Sequence, residues 1–541
     1  ASLKKKLIET LIQIINEYDE LHNKKINNEK IKPNKYMASR YLQLQHSSRQ
    51  GKTSGDGRGI WNGVIQSKGK VWDVSSRGTG VTCLAPGAVE ANKPLKTGVG
   101  EFGYGCGLAE IDELYGATIL AEIMHLQGIH TERVLCVIDL GKGYGIGVRA
   151  APNLIRPAHL FLYLKQNRLQ DLTRATDYLI QRQIQNQKWK LKSTKQSVKY
   201  DEVAELICRS FAEFTAKLDI DYIFAWLDWD GDNVLVDAGI IDYGSVRQFG
   251  IRHDKYRYDD VERFSTNLNE QRRKAKQIVQ VFIQLFDYVK TGKKKPIKEF
   301  AQHPILQKFN TYFAENRADR LLYRIGFNEI QRKNILKDRG LFEMFDKEFS
   351  YFERAKISGN AQKVPDGINH PALFNMRNIL KALPDTLIKN GFENAKLTDE
   401  DFFKLSISSF AKSKDARLRP KHKAHIQNFQ RLYKLLIRSA SARLKPESIL
   451  PGILDRAKTL NTEDRITGNA LIQIVFELID QNKKGLPHSH IQKIIDQLIS
   501  NRLGTPEVET SRFHDRKPKL VAQKEIFGKL MDLVAEYKDD I

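Results

Sequence analysis

Cysteine is scarce in this chain. Four residues in 541 (Cys83, Cys106, Cys136 and Cys208) form no CxxC pair and no dense framework. Such usage argues against a disulfide scaffold and a thiolate metal site, and it suits a reducing cytoplasm. Long apolar runs are missing too: no stretch approaches the roughly 20 consecutive residues that a membrane-spanning helix needs. The opening stretch, ASLKKKLIETLIQIINEYDELHNKK, interleaves apolar residues with Glu and Gln, so it lacks the apolar centre of a secretory signal. Leu7, Leu11, Ile14, Ile15 and Tyr18 recur at helical spacing and predict an amphipathic helix over residues 1–22. No repeat period marks a solenoid.

What is abundant is positive charge, a net +23. It fits a solvated basic surface, or a face that attracts an anionic partner. The basic runs KTGKKKP (290–296) and RLRPKHKAH (417–425) lack the interleaved aromatics of a base-stacking platform. A nucleic-acid partner therefore stays open but is not favoured, and the oligomeric state is not legible.

The texture changes along the chain. Residues 1–50 are expected to form a helical extension, followed by a Gly-rich, strand-like region, IWNGVIQSKGKVWDVSSRG. Residues 108–127 predict one long helix capped by Gly128. RVLCVIDL (133–140) is a continuous apolar run and reads as a central strand, and GYGIGVRAAP (143–152) reads as another. Beyond about residue 158 the periodicity is helical, except at 229–246, and the tail from 506 is polar and expected to be loosely held. This predicts an α+β, protein-kinase-like bilobal fold. Residues 51–158 would be a small β-rich N-lobe, 159–410 a helical C-lobe, and 411–541 an additional C-terminal helical region.

The exceptional stretch, WDGDNVLVDAGIIDYGSV, places Asp232-Asn233 and Asp242-Tyr243-Gly244 on either side of two short strand-like runs. Gly239 is expected to help the turn. Magnesium in nucleotide sites takes hard oxygen ligands, and kinases supply an Asn of the catalytic loop and the Asp of a D-F-G triplet. Ordinary Asx turns at both ends of a hairpin are the alternative. Upstream, SGDGRG (54–59) is a Gly-rich turn ending near Arg58, and WDVSSRGTG (72–80) ends a strand at Arg77. With Arg149 and Arg156 these make a predicted phosphate clamp, a surface ion pair being the bland alternative for each arginine. Glu113 is expected to pair with a strand cation, with Glu122 as the alternative.

Four stretches together resemble the selenoprotein O family: GDGRG (55–59), WDVSSRGTGVT (72–82), MHLQGIHTERVLCVI (124–138) and DNVLVDAGIIDYG (232–244). The third is similar to that family's Leu-Gly-Ile-Pro-Thr-Thr-Arg-Ala-Leu, and the paired arginines of VRAAPNLIR match a family spacing. The resemblance covers roughly 55–250. It implies a pseudokinase that binds ATP in a flipped orientation and transfers AMP to Ser, Thr or Tyr hydroxyls of a protein substrate. Gly55, Gly57, Arg58, Arg149 and Arg156 would then bind the nucleotide, Asn233 and Asp242 would hold Mg²⁺ or Mn²⁺, and Asp232 would be the general base. Arg77 stands where the family has Lys, Gly103 is a weak match to a nucleotide-contacting glycine, and no resemblance extends beyond about 270. UMP transfer, kinase-type phosphotransfer, and a degenerate nucleotide- or nucleic-acid-binding scaffold remain alternatives.

Overall fold

A computed structural model describes residues 12–16, 35–39, 41–42, 53–54, 57–82, 85, 87, 97–98, 107–193, 195–228, 230–256, 265–361, 368–462, 465–466, 468–500 and 521–537. Within these residues the chain is mixed α+β, with a small antiparallel sheet first and a mostly helical remainder. The early strands are β1 (Ile12–Asn16), β2 (Lys35–Ser39), β3 (Tyr41–Leu42), β4 (Thr53–Ser54), β5 (Gly59–Ser67) and β6 (Lys70–Arg77). Helix α1 (Ile111–Leu126) follows, then β7 (Arg133–Gly141) and β8 (Tyr144–Ala151). Six strands form one sheet in the order β1-β2-β5-β6-β8-β7. Two tight turns fix its register. Lys68 and Gly69 both take positive φ between the paired Ser67 and Lys70, and Lys142 and Gly143 do the same between Gly141 and Tyr144. Two consecutive left-handed residues give the turn whose twist matches a hairpin.

Three sequence expectations fail here. Residues 12–16 lie in a strand, not a helix: Ile12, Ile14 and Ile15 are β-branched, and β2 supplies a ladder from Ile12↔Ser39 to Asn16↔Lys35. The run RVLCVIDL is an edge strand among the described residues, because its tight turn ties it to β8, whose other side is taken by β6. Leu135, Ile138 and Leu140 are accordingly exposed. The polar tail contains a further helix, described last below.

The helical remainder begins with α2 (Pro157–Lys165), α3 (Leu169–Gln185) and α4 (Gln196–Asp221). Four two-residue strands come next: β9 (Ile223–Phe224), β10 (Val234–Leu235), β11 (Gly239–Ile240) and β12 (Arg247–Gln248). Then follow α5 (Leu268–Thr291), α6 (Pro304–Ile325), α7 (Glu329–Ile335), α8 (Arg339–Glu353), α9 (Met376–Asn390) and α10 (Asp399–Ser406). Helices α11 (Pro420–Ser441), α12 (Pro446–Leu460), α13 (Gly468–Lys483), α14 (His488–Ser500) and α15 (Val521–Glu536) are the last of the described elements. Among the described residues no helix is long and apolar enough to cross a membrane.

One core joins α1 to α2–α6 and the β10–β11 hairpin, through residues such as Leu120, Phe161, Phe211, Val234 and Phe282. A second lies among α6, α8, α9, α11 and α12, around Phe345, Phe352, Ile379 and Phe429. A third sets Ile119, Ile123 and Leu126 of α1 against Ile474, Leu478, Ile494 and Leu498, with Leu530 and Val534 of α15 fully buried in it. The apolar spacing within 521–536 builds that face although the segment leading to it is polar. The C-terminal helices are thereby fastened to the helix that links β6 to β7.

Candidate functional site

The hairpin β10–β11 pairs Val234 with Ile240 and Leu235 with Gly239, so Asn233 and Asp242 both lie at its open end. The turn itself is made by Ala238 at φ 65, not by Gly239. A Cβ on Gly239 would stand 2.6 Å from His130 Cδ2 and 3.0 Å from His130 O. That glycine is there because the segment before β7 passes directly over the hairpin. Hydrogen bonds bind the two segments: Ile240 N donates to His130 O at 3.0 Å and Glu132 N to Ile240 O at 3.1 Å. His130 Nε2 lies 2.8 Å from Asp237 Oδ1. Burial would push the Asp237 carboxyl up, but His130, Lys188 and Gln183 hold it down at about 2.

An acidic loop precedes the hairpin. Gln271 of α5 fastens it: Ala225 N donates to Gln271 Oε1 at 2.7 Å, and Gln271 Nε2 to Ile223 O at 3.2 Å. Asp228, Asp230 and Asp232 are all buried, and their carboxylate oxygens lie within 4.8 Å of one another, close enough to gather round one cation. Asn233 Nδ2 donates to Trp226 O at 3.4 Å, which turns its Oδ1 to the other side of the amide. Asp242 accepts from Gly244 N at 3.2 Å. Burial would raise its carboxyl, but Arg77, Arg156, the Gly244 amide and Arg149 hold it below the ordinary range. Its carboxylate and the Asn233 amide offer hard oxygen donors of the kind that Mg²⁺ or Mn²⁺ takes.

Arg77 and Arg149 arrive from the sheet, Arg58 from the turn before β5 and Arg156 from the residue before α2, and each has an oxygen partner in the chain. Gly57 takes φ 73, and its carbonyl accepts from Thr82 N at 3.0 Å, while Arg58 O accepts from Gly78 N at 2.8 Å. This holds the Gly-rich turn against the end of β6. Arg58 grips Glu113 with both Nη atoms at 2.9 Å and reaches Leu108 O at 3.1 Å. Arg77 Nη2 meets the same Glu113 at 2.7 Å. Glu113 therefore does pair with the strand cation, whereas Glu122 binds Arg133 at 2.6 Å. Arg149 donates to Glu132 at 3.0 Å, and Arg156 Nη1 to the backbone carbonyl of Asp232 at 2.6 Å. The predicted clamp is thus a set of arginines already engaged by the protein's own acceptors. Gly55 and Gly103 lie outside the described residues.

Glu132 was not anticipated. It sits where the stretch it resembles carries Thr, and that acid-for-hydroxyl change was the available signal. It is 3% exposed. Burial pushes its carboxyl above the ordinary range against Arg149, Arg77 and Arg156, and Asp242 adds to the push. Tyr243 locks the neighbourhood, its hydroxyl contacting Thr131 Oγ1 and donating to Glu132 O at 3.4 Å.

A cavity of about 220 Å³ opens beside these groups, walled by Arg77, Glu113, Glu132, Asp242 and Arg247 on its polar side. Leu471, Ile472 and Val475 of α13 form its apolar side. The C-terminal region thereby contributes to the site, which no local pattern announced. Between the sheet and the hairpin, Ala151, Leu235 and Ile241 form a small buried apolar cluster with Leu154 packed on it. No family model and no curated protein matches this chain.

Proposed function

We propose that the chain is a kinase-like, Mg²⁺- or Mn²⁺-dependent nucleotidyltransferase that moves AMP from ATP to Ser, Thr or Tyr hydroxyls of proteins. The observation that carries the reading is the Arg77–Glu113 ion pair at 2.7 Å, on the same cavity wall as Asp242. A strand cation paired to a helix glutamate beside a metal-ligating aspartate is the arrangement that positions a nucleotide in kinases. The resemblance of four ordered motifs supports AMP as the transferred group.

In this reading Asn233 and Asp242 hold the cation, which neutralises phosphate charge when bound. Arg58, Arg77, Arg149 and Arg156 exchange some of their internal acceptors for phosphate oxygens. The Gly57 turn lies over the phosphates. Asp232 accepts the proton of the acceptor hydroxyl as its oxygen bonds to the α-phosphorus, and pyrophosphate leaves with the electrons of the broken P–O bond. Arginine charge then stabilises the leaving group by position rather than by covalent chemistry.

Asp228 lies five residues before Asn233, which is the Asp-x4-Asn spacing of a kinase catalytic loop. That spacing favours γ-phosphoryl transfer as the second reading. Incubation with α-³²P-ATP and, separately, γ-³²P-ATP divides the two. Label retained from the α position alone, and lost by about 10²-fold or more in Asp242→Ala, is the expected result. Label from γ alone selects the kinase, and no label from either in wild type removes both enzyme readings.

A further inference from the structure

We propose that Glu132 restricts this site to polyphosphates that arrive complexed to a divalent cation. The inference rests on reading the cavity as a polyphosphate site, and it adds which ionic form of the ligand is admitted. Among the described residues the charged wall consists of two arginines, Arg77 and Arg247, against four carboxylates, Asp112, Glu113, Glu132 and Asp242. Arg58 and Arg149 are not part of that wall and pair with its Glu113 and Glu132. A bare triphosphate carries several negative charges and would meet a wall with no cationic surplus. Bound to Mg²⁺ it carries two fewer, and the cation lands on carboxylate rather than on phosphate alone.

Glu132 dominates this balance for two geometric reasons. Its carboxylate is almost wholly buried, so water screens its charge poorly. Its backbone is fixed at both ends, with its N–H on Ile240 O and its carbonyl under the Tyr243 hydroxyl, so the side chain does not leave with a moving loop. It also decides what Arg149 has left to give. One Nη engages Glu132 at 3.0 Å, while the buried Nε of Arg149 has no hydrogen-bond acceptor among the described residues. The guanidinium is therefore aimed by Glu132, whose opposite charge offsets its own. Removing the charge while keeping the shape should free that cation for a metal-free anion.

The test is calorimetric binding of inorganic tripolyphosphate and of ATP to wild type and Glu132→Gln, each with Mg²⁺ and with EDTA. Wild type is expected to bind at least about tenfold more weakly in EDTA, and Glu132→Gln to shrink that Mg²⁺-to-EDTA ratio by about tenfold, through gain of metal-free binding. An unchanged ratio in the variant overturns the proposal. So does a wild type that binds tripolyphosphate equally well with and without Mg²⁺, a result that needs no variant to fold. If tripolyphosphate follows the expected pattern and ATP does not bind, the role of Glu132 stands and the nucleotide reading falls. If ATP binds with Mg²⁺ but the ratio is the same in both proteins, the nucleotide reading stands and Glu132 loses its role. Binding of neither ligand to either protein removes both.

Discussion

Two of the buried arginine–carboxylate clusters among the described residues are built from the same chemistry and differ in how completely it is used. In the helical body Asp219 accepts from Arg252 at 2.8 Å and Arg317 at 3.2 Å, and Arg317 also holds Asp346 at 2.7 Å. Burial would raise the Asp219 carboxyl, yet the two guanidiniums win and its pKa is lowered. Beside the cavity, Glu132 has one arginine hydrogen-bonded to it and a like charge nearby, and its pKa is raised. A carboxylate shared by two cations braces helices. One that shares a single cation and faces Asp242 is a local cost that the fold retains, and such unbalanced groups gather where a ligand completes the charge.

The sharpest way to break this contrast is to remove the brace. Asp219→Ala leaves Arg252 and Arg317 buried against no carboxylate at that point and should destabilise the protein by about 3–5 kcal/mol, read as a lower urea midpoint. If the loss is no larger than that of Glu132→Gln, the two clusters do not differ in the way drawn here. A smaller effect is expected from steric conflict. Gly239→Val drives a side chain into His130 and should cost about 1–3 kcal/mol. Because it parts the hairpin from the segment carrying Glu132, it should also weaken ATP binding more than its stability loss explains.

The smallest expected effect separates the clusters by pH. Asp219 has a folded-state pKa below its unfolded value, so its stabilisation is present above the ordinary carboxylate range and is lost as pH falls through the depressed value. The difference in thermal midpoint between wild type and Asp219→Ala should therefore be flat near neutrality and narrow on acidification. A difference that widens as pH falls would show that Asp219 is not held ionised by its partners.

Much of this arrangement was legible because it is local. The β10–β11 hairpin follows from a short segment whose polar ends flank apolar pairs, and α1 follows from periodicity and its Gly128 terminus. The Arg77–Glu113 pair was read by analogy rather than by spacing. What escaped lies in contacts between distant segments. Arg58 meets a glutamate 55 positions away, and Gly239 is required by a backbone that crosses it from before β7. Glu132 looks like an ordinary polar residue in IHTERVL until Ile240 and Arg149 are brought against it. The strand at 12–16 and the edge position of β7 failed for a related reason: periodicity describes one segment, and a sheet is a property of partners.

The wall that α13 lends to the cavity has a consequence in time. A ribosome makes the sheet, the arginines and the aspartates first, and Leu471, Ile472 and Val475 only after some further 230 residues. At roughly 5–20 residues per second the nascent chain spends on the order of ten to fifty seconds with its acids and arginines built and one side of the cavity missing. Synthesis itself thus keeps the cavity open on that side until α13 has been made.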